Sequence, residues 1–217
     1  MTARTRQAGI STAEMLVGMA ISLVVLGAAA SFSRAQSRAL LAQDAYADSQ
    51  TITRSVMDLL TRELRMATYD PLGTALPTSA PPSCPGVKQG IISATASSIH
   101  FKQDLTGDGL INSSGEDITY DVLGDTIRRQ DGASSPVVLV SGIPAGGFTL
   151  RYFDGSNPPV ELIPSGSPPA LTAAQRNCVA KVRISVRADV ANPTLPEPLA
   201  SIAQSEVAIR NRSLMNF

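Results

Sequence analysis

Residues 9–30 read GISTAEMLVGMAISLVVLGAAA, and beyond Glu14 this stretch is apolar except for one serine, Ser22. From Ile10 to Ala30 it is about 21 residues long, which is enough for a helix to cross a bilayer. The basic residues Arg4 and Arg6 precede it, and such residues keep a flanking segment in the cytoplasm. We therefore predict a single transmembrane helix over residues 10–30, with the rest of the chain exported.

Glu14 is the one acidic residue inside this apolar stretch. A carboxylate at membrane depth costs about 2.5–3.5 kcal/mol on insertion scales, so it is rare without a functional reason. It needs a partner, and an amine on a neighbouring chain would serve. We therefore treat Glu14 as a candidate site residue.

The run from Gly9 to Glu14, followed by an apolar helix, resembles the class III signal of type IV pilin-like proteins. In that family a membrane peptidase cuts after the glycine, the new N-terminal residue is methylated, and the glutamate pairs with the N-terminal amine of an adjacent subunit. The resemblance implies a leader over residues 1–9, cleavage between Gly9 and Ile10, N-methylation of Ile10, and an assembly role for Glu14. The chain departs from the family at Ile10, where Phe is usual, and at Ala13, where a bulky apolar residue is usual.

An ordinary secretory signal peptide is the competing interpretation. The basic start would be its n-region, Met15–Gly27 its apolar region, and Ala28–Ala30 the small-residue cleavage site before Ser31. Against it, Glu14 lies at the edge of the apolar region and no helix breaker follows Ala30. The two interpretations predict different mature N-terminal residues.

The helical pattern continues well past the apolar stretch. Ser31 to Thr68 contains neither Pro nor Gly, and Asp58 and Arg62 have the i,i+4 spacing of a helical ion pair. Pro71 ends the pattern. Apolar residues recur at three- and four-residue steps and therefore form one face of the helix. They are Ile52, Val56, Leu59, Leu60, Leu64 and Ala67. We predict an amphipathic extension over residues 31–70 whose apolar face packs on a domain.

The stretch from Ser55 to Gly73 limits the resemblance to two groups of pilin-like proteins. It is similar to PilW-type minor pilins and to the related J-type pseudopilins of type II secretion, and the matching residues are Arg62, Glu63, Leu64, Arg65, Ala67, Tyr69, Asp70, Pro71 and Gly73. The resemblance implies an α+β pilin fold, in which a long N-terminal helix packs on an antiparallel β-sheet. It also implies a structural role.

Residues 71–217 predict an antiparallel sheet domain with Pro-rich loops. Strand patterns lie at 98–103, 117–123, 126–130, 137–140, 148–153, 179–188 and 206–210. Gly124-Asp125 predicts a hairpin turn, and the strand over 179–188 should bury Val182, Ile184, Val186 and Ala188. Segments 71–90, 154–178 and 190–200 are expected to be loops, and no helix is expected after Pro71.

Residues 104–116 resemble a calcium-binding loop. The candidate ligands are Asp104, Thr106, Asp108, the Leu110 carbonyl, Asn112 and Glu116, with Gly109 at the sharp turn. Position 12 is Gly115 rather than a glutamate, and no helix flanks the loop. Asp, Gly and Asn also simply make turns, so a strand connection without metal is the alternative. PilW-type relatives often share this run.

The chain has two cysteines, Cys84 and Cys178. Outside the cytoplasm an even count of cysteines in Pro-rich loops favours a disulfide. We predict this bond, with two free thiols as the alternative.

The composition argues against nucleic-acid binding and enzymatic chemistry. Eighteen basic residues balance eighteen acidic ones, so no basic face is expected. The single histidine, His100, lies in a strand pattern, and no phosphate-binding or dinucleotide motif occurs. The adjacent carboxylates Glu116 and Asp117 would point to opposite faces of a strand. We expect a protein that is not an enzyme.

The resemblance implies that the chain is a structural minor pilin of a type IV pilus. It would be a single-pass inner-membrane protein with a cytoplasmic N-terminus and a periplasmic domain, later moved into the filament. Its expected partners are a prepilin peptidase, the membrane and other pilins, with Gly18 and Gly27 allowing close helix approach. The alternatives are a J-type pseudopilin and an exported calcium- or ligand-binding domain released by signal cleavage.

Overall fold

The structure is a computed structural model that describes residues 11–79, 84, 87–190 and 199–209. The chain forms two compact units, one ending at Asp44 and the other beginning at Ala45, and the first helix contributes to both. We describe each unit by itself.

Helix α1 runs from Thr12 to Met66 and confirms the predicted long helix. Ser11 caps its N-terminus: the Ser11 hydroxyl accepts the Ala13 N–H at 3.3 Å, and Glu14 Oε2 accepts the Ser11 N–H at 3.0 Å. It ends where Thr68 adopts a positive φ of 69°. Local sequence therefore accounts for the start of α1, whereas positive φ is unfavourable for a β-branched residue and the Thr68 N–H donates to the Lys102 carbonyl at 3.0 Å.

The first unit exposes its apolar residues. Every described residue from Ser11 to Leu41 is exposed. The helix contains an 18-residue stretch that is apolar enough, by length and composition, to cross a membrane, and none of that stretch is buried within the protein. None of the described residues therefore covers this part of α1.

The second unit contains two antiparallel sheets, whereas the sequence predicted one. The first has the order β1-β2-β3-β4-β5 and the second the order β7-β6-β8-β9. The strands are β1 (Ile91–Ala94), β2 (Ile99–Lys102), β3 (Asp117–Leu123), β4 (Thr126–Asp131), β5 (Val137–Val140), β6 (Phe148–Phe153), β7 (Glu161–Leu162), β8 (Lys181–Val190) and β9 (Leu199–Ala208). The chain changes sheet between β5 and β6, where Gly142 and Gly146 have positive φ. Strand alternation predicts buried faces but not which strands pair.

Three further expectations need correction. A short helix α2 (Ala173–Cys178) follows Pro71, against the prediction of none, and it begins with a capping box between Thr172 and Gln175. Six residues are too few to show helical periodicity. Strand β1 was not predicted, and β9 begins within a segment that was expected to be loop. The Gly124-Asp125 turn between β3 and β4 is as predicted.

The second half of α1 packs its apolar side chains against both sheets in one core. The buried helix residues are Val56, Met57, Leu60, Leu64 and Ala67, and β8 contributes Val182, Ile184, Val186 and Ala188 as predicted. Ile52 is exposed and Leu59 only half-buried, so the packed face is turned slightly from the predicted one. Among the described residues, Asp58 and Arg62 form no ion pair.

We predict that Leu60→Ala lowers the free energy of unfolding by about 2–5 kcal/mol, because it removes a fully buried side chain and leaves a cavity. The matched control is Leu40→Ala on the same helix. Leu40 is 61% exposed and Leu60 is 0% exposed. Chemical denaturation of the detergent-solubilised chain measures both changes. Equal losses for the two variants would contradict the packing described here.

Candidate functional site

Glu14 lies in the first turn of α1 and is exposed. Its carboxylate accepts the Ser11 N–H, and within the described part of the chain no cation lies at ion-pair distance from it. Gly9 and Ile10, the predicted cleavage and methylation sites, lie outside the described residues. Glu14, the predicted assembly residue, thus lies on an exposed helix. Among the described residues, its carboxylate has one hydrogen-bond donor, the backbone N–H of Ser11.

Gly18 and Gly27 have open space around them. A Cβ built at either position would meet no atom within 4 Å. Nothing in the packing of the described chain therefore requires glycine there. The nearby Ser22 hydroxyl donates to the Gly18 carbonyl at 2.8 Å, so this polar side chain is satisfied within the helix and suits an apolar environment.

Glu63, in the Arg-Glu-Leu-Arg run, ties the second half of α1 to the five-stranded sheet. Its carboxylate accepts a hydrogen bond from the Tyr120 hydroxyl and forms an ion pair with Arg129, with an Nη2–Oε1 distance of 2.9 Å. Burial and the neighbouring Glu63 charge raise the pKa of Tyr120, so the phenol stays protonated. The sequence pattern marked Glu63 but did not reveal this contact.

Asp70 closes the segment that follows the helix. Its carboxylate accepts the N–H groups of Thr74 at 3.1 Å and Leu76 at 3.0 Å, and it pairs with Lys88 Nζ at 3.2 Å. Burial alone would raise the pKa of Asp70, but these amide donors and the Lys88 ammonium outweigh burial and lower it. The Tyr-Asp-Pro-x-Gly run and the residues that follow it therefore fold around the ionised carboxylate of Asp70.

Glu116 organises the loop over residues 104–116 in the same way. It is 0% exposed, and its carboxylate accepts N–H groups from Leu105, Thr106, Asn112 and Ser113, as well as the Thr106 hydroxyl. Burial raises the pKa of this carboxyl, but the hydrogen bonds overcome burial and lower the pKa to about 2. An ionised Glu116 therefore holds both halves of the loop together.

The two loops contact each other. The Asp104 N–H donates to the Tyr69 carbonyl at 2.7 Å. A Cβ added at Gly109 would collide with the Thr74 hydroxyl oxygen, so glycine allows the close approach. We call these two segments, residues 69–76 and 104–116, the helix-end junction. The two segments are far apart in the sequence, and only the fold shows that they adjoin.

The helix-end junction does not present the calcium ligands predicted from the sequence. Both Asp104 oxygens face loop donors, accepting the N–H groups of Gly107 at 2.7 Å and Gly109 at 2.9 Å. Asp108 accepts the Leu110 N–H. Within the described ranges, no three His, Cys, Asp or Glu side chains form a group that could hold a metal ion. Both carboxylate oxygens of Asp104 and both of Glu116 accept N–H groups of their own loop, so a calcium ion would have to displace these hydrogen bonds.

The other predicted residues lie elsewhere in the second unit. Cys84 and Cys178 are joined by a disulfide with a Cα–Cα distance of 5.3 Å, which links residue 84 to the end of α2. His100 contacts Asp117 at 2.5 Å, and Lys102 pairs with the same carboxylate at 3.3 Å. These side chains lie on neighbouring strands and are partly exposed. No protein-family model, no curated protein and no solved structure matches the chain.

We predict that Glu116→Gln lowers the free energy of unfolding by about 1–3 kcal/mol at neutral pH, because buried N–H groups lose their ionised acceptor. The wild-type carboxylate stabilises the fold above its unfolded pKa of about 4.5, and this contribution is lost as the pH falls towards about 2. Unfolding measured across this acid range should therefore show a weaker pH dependence in the variant. The control is Asp108→Asn, at an exposed residue, which should change little.

For calcium we predict no saturable heat when the detergent-solubilised chain is titrated with the ion in a calorimeter, because the buried carboxylates already face N–H donors. Asp108→Ala should give the same baseline. Saturable heat in the wild type that disappears in Asp108→Ala would restore the calcium hypothesis.

Proposed function

We propose that this chain is a structural subunit of a type IV pilus, of the minor pilin type, anchored in the inner membrane by the first half of α1. The observation that supports this most is the apolar stretch of α1, none of which is buried within the protein. In water such a surface would cost roughly 25 cal/mol for each Å². Lipid, and later the helices of other subunits, would cover it.

Glu14 gives this anchor its assembly function. Inside a membrane its carboxylate needs more than the single Ser11 N–H that it accepts in the isolated chain. Cleavage after Gly9 would create a free amine at Ile10, only four residues away along the sequence. The amine of a neighbouring subunit is therefore a partner of the right charge at nearly the right depth.

The second unit supports a structural role for the domain. Glu63 and the helix-end junction use their carboxylates to bind the chain's own donors, which fixes the domain on the second half of α1. This arrangement suits a subunit that must keep its shape while its helix is packed by neighbours. The domain would lie in the periplasm before assembly.

A J-type pseudopilin of type II secretion is the second candidate, because the same anchor and the same Arg62–Gly73 run fit both systems. Release at Ser31 by an ordinary signal peptidase is less well supported. Helix α1 continues without interruption through Ala28–Ala30, and the Ser31 hydroxyl donates to the Ala28 carbonyl within it.

We predict that Glu14→Ala and Glu14→Gln leave membrane insertion intact but block incorporation into the filament, because both remove the charge that pairs with the amine. Insertion is measured by membrane fractionation, and incorporation by the amount of the chain in sheared filaments or by the function of the assembly.

The matched control is Ser11→Ala, which removes the hydroxyl that caps the helix and keeps the carboxylate. It should assemble normally. Normal incorporation of Glu14→Gln would refute the pairing role, and an equal defect in Ser11→Ala would assign the effect to helix capping instead.

A further inference from the structure

Four charged side chains in the middle of α1 find no opposite charge within the described residues. They are Arg34, Arg38, Asp44 and Asp48, and all four are exposed. None has an oppositely charged residue three or four positions away in either direction, so no pair along the helix is available to them. The described part of the chain offers them no ion pair from elsewhere either.

In the sheet domain, by contrast, many of the charged residues form ion pairs. Arg128 pairs with Asp121, and Arg187 pairs with Asp189. Further pairs join Lys88 to Asp70, Lys102 to Asp117, Arg129 to Glu63, Arg151 to Glu161, and Lys181 and Arg183 to Glu206. The helix instead places like charges four residues apart, twice, and such spacing disfavours an isolated helix. This pattern points to charges supplied by another chain.

The spacing specifies how that other chain would lie. Asp44 follows Arg34 by ten residues, and Asp48 follows Arg38 by ten. A second copy of the helix, parallel and displaced by ten residues, would therefore set both arginines against both aspartates. Displacement by six or fourteen residues matches one pair alone, and zero displacement opposes like charges. A rise of about 1.5 Å per residue makes the ten-residue displacement about 15 Å.

We propose that residues 34–48 of α1 bind a second copy of this chain, parallel and displaced by about 15 Å along the axis, through Arg34–Asp44 and Arg38–Asp48 pairs. The parallel orientation rests on the proposed function, because helices anchored by the same end in one membrane run the same way. One chain supplies both halves of the contact, so two adjacent copies suffice.

This contact involves a different displacement from the pairing of Glu14. The amine expected at Ile10 lies four residues from Glu14, which corresponds to a displacement of about 6 Å. One neighbour cannot satisfy both displacements. The arginine–aspartate contact therefore defines a second neighbour, and the two contacts can be tested independently.

The test is cysteine cross-linking between two differently tagged full-length chains that are expressed together. One chain has Arg34→Cys and the other has Asp44→Cys, and the Arg38–Asp48 pair remains to align them. Mild oxidation of membranes should give a disulfide-linked dimer containing both tags. The native Cys84–Cys178 bond is present in every chain and keeps those thiols out of the reaction.

The matched control pairs Ser33→Cys with Gln43→Cys. These exposed residues have the same ten-residue spacing. Each precedes a charged residue by one position and is therefore rotated from it by about 100° around the helix axis. Their dimer should form several-fold less. Equal or greater yield from the control pair would overturn the proposal, because collision in the membrane would then explain both products.

Charge reversal in the same two chains isolates the electrostatic contact. Adding Arg38→Glu to the Arg34→Cys chain should reduce the yield of the cross-linked dimer. Adding Asp48→Arg to the Asp44→Cys chain should reduce it as well, and the two reversals together should restore it. Failure of the double reversal to restore the dimer would contradict the assigned pairs.

The outcomes also separate this proposal from the proposed function. A chain that enters membranes and filaments but gives no specific dimer would refute the contact and leave the pilin role standing. A chain that is never found in membranes would refute the pilin role itself.

Discussion

The exposed apolar surface of the first half of α1 is the constraint on which the rest of the account depends. Ser11 caps the helix that starts at Thr12, and the chain then presents an apolar 18-residue stretch that it does not bury. An exposed apolar surface of this kind is typical of a contact with a membrane or with another protein. The function of the protein therefore depends on what covers that surface.

The second half of α1 is under the opposite constraint, since it must hold a folded domain. Leu60 and Leu64 are fully buried in the core between the two sheets, and Glu63 between them is held by Tyr120 and Arg129. Beyond the helix, Asp70 and Glu116 fix two adjoining loops by accepting backbone N–H groups. One continuous helix is thus exposed at one end and enclosed at the other.

Much of the fold follows from local patterns in the sequence. The absence of Pro and Gly from Ser31 to Thr68 predicts that α1 continues past its apolar half, alternation predicts the buried face of β8, and Gly124-Asp125 predicts the β3–β4 turn. The number of sheets could not be predicted, because strand pairing depends on long-range contacts that alternation does not specify. Helix α2 is too short to show a period, and its only local signal was the capping box of Thr172 and Gln175.

Among the candidate site residues, too, some could be predicted from the sequence and others could not. Glu14 could be identified because a single charge in an apolar run stands out in sequence. The calcium hypothesis for residues 104–116 came from residue types at the right spacing, but spacing does not show which way a carboxylate turns, and Glu116 turns inward to amide donors. Likewise, Glu63 appears in the sequence only as part of a run, and its partners on β3 and β4 become visible only in the fold.

The central claim is that α1 remains attached to the domain as a processed membrane anchor. The most direct test is the intact mass and N-terminal fragment mass of the mature protein isolated from cells. The account predicts a chain in the membrane fraction that begins at Ile10 and has a methylated amine, and that retains residues 1–9 when the prepilin peptidase is absent. A free periplasmic chain beginning at Ser31, unchanged by loss of that peptidase, would contradict it.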